Sequence, residues 1–173
     1  MRKLTFLLLL SIPSFAQTQK GNFSFGTKGI NFNHNEEIVQ FRELSIEPSI
    51  GYFISNNLEI GLAINSQITW FRDKGSDERW FNSSSTAFLA FITKYFARGK
   101  FQPFISASGG VAKSSIGYLG DNGGRVGLNI GVQYCVSKNI ALGFHSGIIS
   151  GSTTNFNTGL NFTIYTASKK EKK

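Results

Sequence analysis

The sequence predicts an eight-stranded antiparallel, up-and-down transmembrane β-barrel. Three observations carry that expectation. Apolar residues recur at every second position over long segments. The opposite parity is crowded with Gly, Ser and Asn, and the apolar parity carries no charge over 44–52 and 58–64. A period of two is the pattern of strands, whose successive side chains point to opposite faces. An uncharged apolar face backed by a small polar one reads as a sheet closed around a wet interior and bathed in lipid. Composition agrees: charged residues make up 16% of the chain, against roughly 25% in soluble domains.

Residues 1–16 read as a secretory signal peptide. Arg2 and Lys3 precede an apolar run from Leu4 to Ile12, and Ser14-Phe15-Ala16 offers small residues at the −3 and −1 positions of a cleavage site. The run falls short of the roughly 20 apolar residues of a helical span. Gln17 follows the cut, where a lipid anchor requires Cys. Residues 17–165 then form the barrel and 166–173 a basic tail.

Strands are expected near 22–33, 43–53, 58–70, 83–96, 101–113, 125–136, 140–149 and 155–165. In the first, Phe23 and Phe25 share one parity while Ile30 and Phe32 share the other, so a bulge near Gly26 or Gly29 must absorb the slip. The second places Leu44, Ile46, Pro48, Ile50 and Tyr52 outward, and the third places Leu58, Ile60, Leu62, Ile64, Ile68 and Trp70 outward, with Ser66 as a polar break. The fourth is apolar on both parities from Ala87 to Phe96. Leu89, Phe91 and Tyr95 are expected outward there, because the opposite choice puts Lys94 in lipid at up to roughly 2–4 kcal/mol at the midplane. Phe88 and Ile92 then point inward. Alternation resumes in the last four strands, with Phe104 as an aromatic on the inner face of the fifth and Cys135 facing inward beside a turn.

Short turns are expected at 54–57, 97–100 and 137–139, and longer connections at 33–42, 71–82, 114–124 and 150–154. Asp121-Asn-Gly-Gly124 reads as a turn tolerant of positive φ. An even strand count returns both termini to the side of the short turns, the periplasm in this architecture. There is an internal echo: Tyr52-Phe-Ile-Ser-Asn-Asn-Leu-Glu-Ile-Gly61 matches Tyr134-Cys-Val-Ser-Lys-Asn-Ile-Ala-Leu-Gly143. Tyr52 and Tyr134 are expected at the periplasmic interface, and Trp70 and Trp80 at the outer one, where amphipathic rings settle.

Several of these segments resemble a known family. Glu47-Pro-Ser-Ile-Gly-Tyr-Phe53, Ser55-Asn-Asn-Leu-Glu-Ile-Gly61 and Phe101-Gln-Pro-Phe-Ile-Ser-Ala-Ser-Gly-Gly110, with the signal ending Ser-Phe-Ala-Gln, resemble the small eight-stranded outer-membrane barrels of the OmpX and OmpA-transmembrane-domain type, in the versions common in Bacteroidota. The resemblance implies residence in the cell outer membrane and recognition of the last strand by the barrel-assembly machinery, with Asn157, Gly159, Phe162 and Ile164 at its polar, glycine and apolar positions. Ile164 stands where the final residue is usually aromatic, and eight residues follow Tyr165.

The inner face offers little chemistry. Its ionisable residues are expected to be Glu47, Glu59, Lys94, Arg125 and His145, with Lys28 on this reading of the first strand. Buried charges need partners, so these read as a stiffening lumen network. No catalytic residue, metal ligand or cofactor site is expected. His145 and Ser146 are neighbours and therefore face opposite ways, and His34 near Glu36 and Glu37 matches no ligand spacing. The expected partners are outer-membrane lipid, lipopolysaccharide and the assembly machinery; an exported chain meets no nucleic acid, despite its net charge of +8. The expected role is a monomeric barrel acting structurally, adhesively or through its surface loops. The alternatives are a narrow channel or carrier for small or hydrophobic molecules and a lipid-modifying enzyme.

Overall fold

The structure, a computed structural model, describes residues 18–35, 39–73, 81–97, 99–116, 119–151 and 154–166. Eight strands lie among them: β1 (Phe23–Asn35), β2 (Val39–Ser55), β3 (Leu58–Asp73), β4 (Phe81–Tyr95), β5 (Phe101–Ile116), β6 (Leu119–Cys135), β7 (Ile140–Ser150) and β8 (Thr154–Tyr165). Each pairs antiparallel with its sequence neighbours, and β1 pairs with β8 to close the barrel. The cleavage site, Trp80, the loop charges Lys74, Asp77, Glu78 and Arg79, and the tail beyond Thr166 lie outside the described residues.

Alternation decides which side of the wall each residue takes. Leu62 and Ile130 are 63% and 64% exposed on the outside, whereas Asn65 and Asn161 are buried inside. The barrel is thus apolar outside and polar within, the reverse of a soluble barrel. In β1, Thr27 pairs with Pro48 but Ile30 pairs with Ile46, so one extra residue is accommodated where the parity slip demanded it. Lys28 keeps the inward parity of Ser24, and the extra residue lets Phe25 and Ile30, of opposite parity, both face outside.

The face of β4 is the opposite of the one expected. Ala87, Leu89, Phe91, Thr93 and Tyr95 are buried inside, while Phe88, Ile92 and Lys94 face out. Lys94 pairs with Leu58 at the very end of the strand, beside the turn. There an outward lysine costs about 0–1 kcal/mol, because its ammonium can reach the interface. The midplane penalty that guided the expectation does not apply.

The connections at one end are short. Ser55 pairs with Leu58 across Asn56 and Asn57. Asn57 takes φ +68°, a left-handed conformation that Asn tolerates. Thr18 is strapped beneath this turn: its carbonyl accepts from the Asn57 N–H at 2.8 Å and its hydroxyl donates to Asn57 Oδ1 at 2.6 Å. At the opposite end two of the expected long loops are mostly strand. β5 and β6 run on to pair Ile116 with Leu119, leaving 117–118 between them. Asp121–Gly124 therefore lies in β6 opposite Ser114–Val111 rather than in a turn. Likewise His34 pairs with Arg42, leaving 36–38 between β1 and β2.

Candidate functional site

The interior is organised around Glu59, the second residue of β3, whose side chain is fully buried. Ser24 of β1 donates its hydroxyl to Oε1. Lys28 Nζ donates to Oε2 at 2.8 Å, forming an ion pair, and the Tyr95 hydroxyl donates to the same oxygen at 2.8 Å. Lys28 also lies 4.1 Å from the centre of the Phe91 ring, a cation–π contact that partly replaces lost hydration. Gly51 of β2 lies diagonally from Glu59, opposite Gly61, and a Cβ there would strike the carboxylate. A buried carboxylate satisfied by three donors, one of them its ion-pair partner Lys28, meets the condition under which burial of charge is tolerated.

A second node sits nearer the long-strand end. Asn65 Nδ2 donates to Glu47 Oε2 at 3.1 Å and Ser45 Oγ at 3.2 Å, and its Oδ1 accepts from Arg125 at 3.1 Å. Arg125 donates again to Gln67 Oε1 at 3.4 Å. Arg125 belongs to β6 and these partners to β3, so its side chain spans the lumen and ties non-adjacent walls. Glu47 and Arg125 share Asn65 as an intermediary.

The turn end is closed by rings. Phe53 lies 5.9 Å from both Tyr95 and Tyr165, centre to centre, and Tyr95 lies 5.9 Å from Phe104. Gln133 Nε2 donates to Gln102 Oε1 and to the Tyr165 hydroxyl, both at 2.7 Å. Phe104 rests over Gly131 and Phe91 over Gly61, their cross-strand neighbours. Glycine on the inner wall is what makes room for these rings in so narrow a barrel. Buried Cys135 packs in the same layer.

The remaining wall is lined by asparagine. The Oδ1 atoms of Asn31, Asn129 and Asn161 are buried without a hydrogen-bond donor, yet each sits over the backbone of a facing glycine: Gly159, Gly147 and Gly143. Weak C–H···O contacts supply their environment. His145 is buried beside Gly29 and Gly159. Its neighbour Ser146 faces outward toward the Asn157 carbonyl and Thr158. Among the described residues no group of three or more His, Cys, Asp or Glu is placed to hold a metal ion.

Of the expected lumen residues, Glu47, Glu59, Arg125, His145 and Lys28 are inside and Lys94 is not. Glu59 with Lys28 and Glu47 with Arg125 form two separate nodes rather than one network, and His145 belongs to neither. Tyr95, Tyr165, Asn65, Gln102 and Gln133 are the partners that attention to ionisable groups alone passed over. The inward parity of Asn65, Gln102 and Gln133 was the available signal. Outside, Tyr52 pairs with Phe23 and Tyr134 with Phe101, each at 4.9 Å between ring centres and at nearly the same tilt. The sequence echo is therefore also a structural one. Trp70 is half-buried on the outward parity of β3.

Two spaces remain within. A void of about 20 Å³ beside Lys28, Glu47 and His145 has room for one water-sized group. A vestibule of about 400 Å³, lined by Asn31, Glu43, Gln67, Arg125 and Asn157, lies above the Arg125 node.

The fold is similar to that of a solved structure, the N-terminal β-barrel domain of Pseudomonas aeruginosa OprF. The two align with a TM-score of 0.53 and 17% identity, over 85% of this chain and 98% of that one. At that identity the likeness shows the fold. No protein-family model matches the chain, and no curated protein does.

Proposed function

We propose that this chain is a monomeric outer-membrane barrel with a plugged lumen, acting structurally or adhesively through the end where its strands are longest. The observation that carries this reading is the apolar exterior. Large aliphatic and aromatic side chains stand exposed on all eight strands, from Phe25 and Ile50 round to Phe144 and Phe162. A continuous apolar surface of that extent needs a lipid environment, and a closed barrel is a form in which strands can occupy one. The start of β1 and the end of β8 meet at the short-turn end, where the Thr166 N–H donates to the Phe23 carbonyl. In such barrels the short turns face the periplasm.

The plugged character is supported by the layer of Phe53, Tyr95, Phe104 and Tyr165, which stands across the path a channel or carrier would require. The inward placement of the described carboxylates and the separation of His145 from Ser146 favour a structural over a catalytic interior. Lipid, lipopolysaccharide and, during biogenesis, the assembly machinery are the partners this reading implies. Fractionation and gel migration test it. The chain should be recovered in the outer-membrane fraction and migrate differently before and after boiling. A soluble periplasmic product with one mobility would overturn it.

A further inference from the structure

The outer wall is not uniformly ridged. Along β5 the outward positions run Lys113, Val111, Gly109, Ala107. Phe88 and Ile92 of β4 stand exposed on one side, and Val126 and Leu128 of β6 on the other. Gly109 and Ala107, with Ala90 beside Gly109, therefore form the floor of a trough whose bulky edges are Phe88, Ile92, Val126 and Leu128. A Cβ built on Gly109 would touch nothing closer than 3.9 Å, so the floor is open space. Toward the long-strand end the trough widens into a groove of about 480 Å³, lined by Thr86, Phe88, Val111, Lys113, Asn122 and Gly124.

The chemistry changes along the trough. Thr86, Lys113 and Asn122 pair across three strands and make one polar row of ammonium, hydroxyl and amide. The next row is Phe88, Val111 and Gly124, and the two rows below it, down to Ile92, Ala107 and Leu128, are apolar. From Lys113 to Ala107 the strand rises about 20 Å. At the usual tilt this is about 14 Å of depth, close to half of the roughly 30 Å hydrocarbon thickness. One leaflet's acyl chain fits that depth with its headgroup at the polar row.

Charge points the same way. The described carboxylates Glu43, Glu47 and Glu59 all face inward, whereas the charged side chains on the outward parity of the described strands are Arg42, Arg72, Lys94 and Lys113. Lys113 is thus offered to the membrane side, and its ladder neighbours there, Thr86 and Asn122, are uncharged. We propose that this trough is a docking site for one phosphorylated acyl saccharide lipid of the lipid A kind, with Lys113 on a headgroup phosphate and an acyl chain laid over Gly109 and Ala107. The proposal rests on the outer-membrane reading, with the long-strand end outward.

Native mass spectrometry of the full barrel released from detergent, with added bis-phosphorylated lipid A, tests it. A one-lipid adduct is expected. Lys113→Ala and Gly109→Leu should each weaken it about tenfold, Lys94→Ala should leave it unchanged, and dephosphorylated lipid A should bind as weakly as in Lys113→Ala. The boiled and unboiled gel shift confirms that each variant is closed. Equal adducts in the wild type and both trough variants overturn the site, as does phosphatidylglycerol binding as well as lipid A. A detergent-dependent, heat-modifiable barrel without an adduct overturns the site alone. A chain that stays soluble without detergent overturns the membrane reading as well.

Discussion

Lys28 stands on the same inward parity of β1 as Ser24, and both donate to the buried carboxylate of Glu59. Regular alternation aims Lys28 at its partner, and the one extra residue of β1 between Thr27 and Ile30 then resets the parity so that Ile30 returns to the outer face. Removing the carboxylate by Glu59→Ala leaves Lys28 buried without its counter-ion and takes an acceptor from Tyr95. The expected cost is about 3–5 kcal/mol, read from the urea midpoint of the lipid-embedded barrel by loss of the unboiled gel band. Lys28→Met with Glu59→Leu should recover much of that loss. Equal stability of Glu59→Ala and the wild type would refute the pairing.

The orientation of β4 has a direct optical test. With both native tryptophans replaced by Phe, a single Trp at position 88 should be quenched strongly by bromine-labelled lipid chains. The same probe at position 89 should be quenched weakly, because Leu89 is buried and Phe88 is 60% exposed. The reverse order would restore the facing first expected from sequence.

Glycines under the inner rings should tolerate little. Gly131→Val pushes against Phe104 and the Phe144 carbonyl, and the overpacking is expected to cost about 1–3 kcal/mol. Gly123→Val should be neutral by the same denaturation assay, since a Cβ there meets nothing within 4 Å.

Planar-bilayer recording checks the plug. The wild type is expected to give no steady ion-conducting steps. Truncating two rings together, Phe53→Ala with Tyr165→Ala, should produce them or raise the frequency of brief openings. Steady conductance in the wild type would contradict the aromatic closure.

Most of the wall was legible before any coordinates, because a period of two fixes a strand and its faces together. It failed where the pattern carries no sign. From Ala87 to Phe96 both parities are apolar, so periodicity identifies a strand without saying which side is in. The facing of Phe91 depends on having Gly61 opposite it, and that requires the register of a neighbouring strand. The tall β5–β6 hairpin was hidden for a different reason. Beyond the apolar belt both faces of a strand are wet, so Ser114–Ser115 and Asp121–Gly124 lose the alternation and look like a loop. Among the lumen groups, the inward placement of Glu59 and Arg125 was readable, but their partners were not. Arg125 meets Asn65 across the bore, and only closure of the sheet brings those walls together.

The strands end at very different heights. β5 and β6 have 16 and 17 residues, while β7 and β8 have 11 and 12. The mouth is therefore a slanted collar, high on one flank and cut away on the other, with Ile149, Thr154 and Phe156 at its low lip beside the vestibule. Anything arriving from that side meets a hydrogen-bonded palisade behind the recess. Along the described strands that wall is backbone already paired, so seating a visitor against it costs little ordering there.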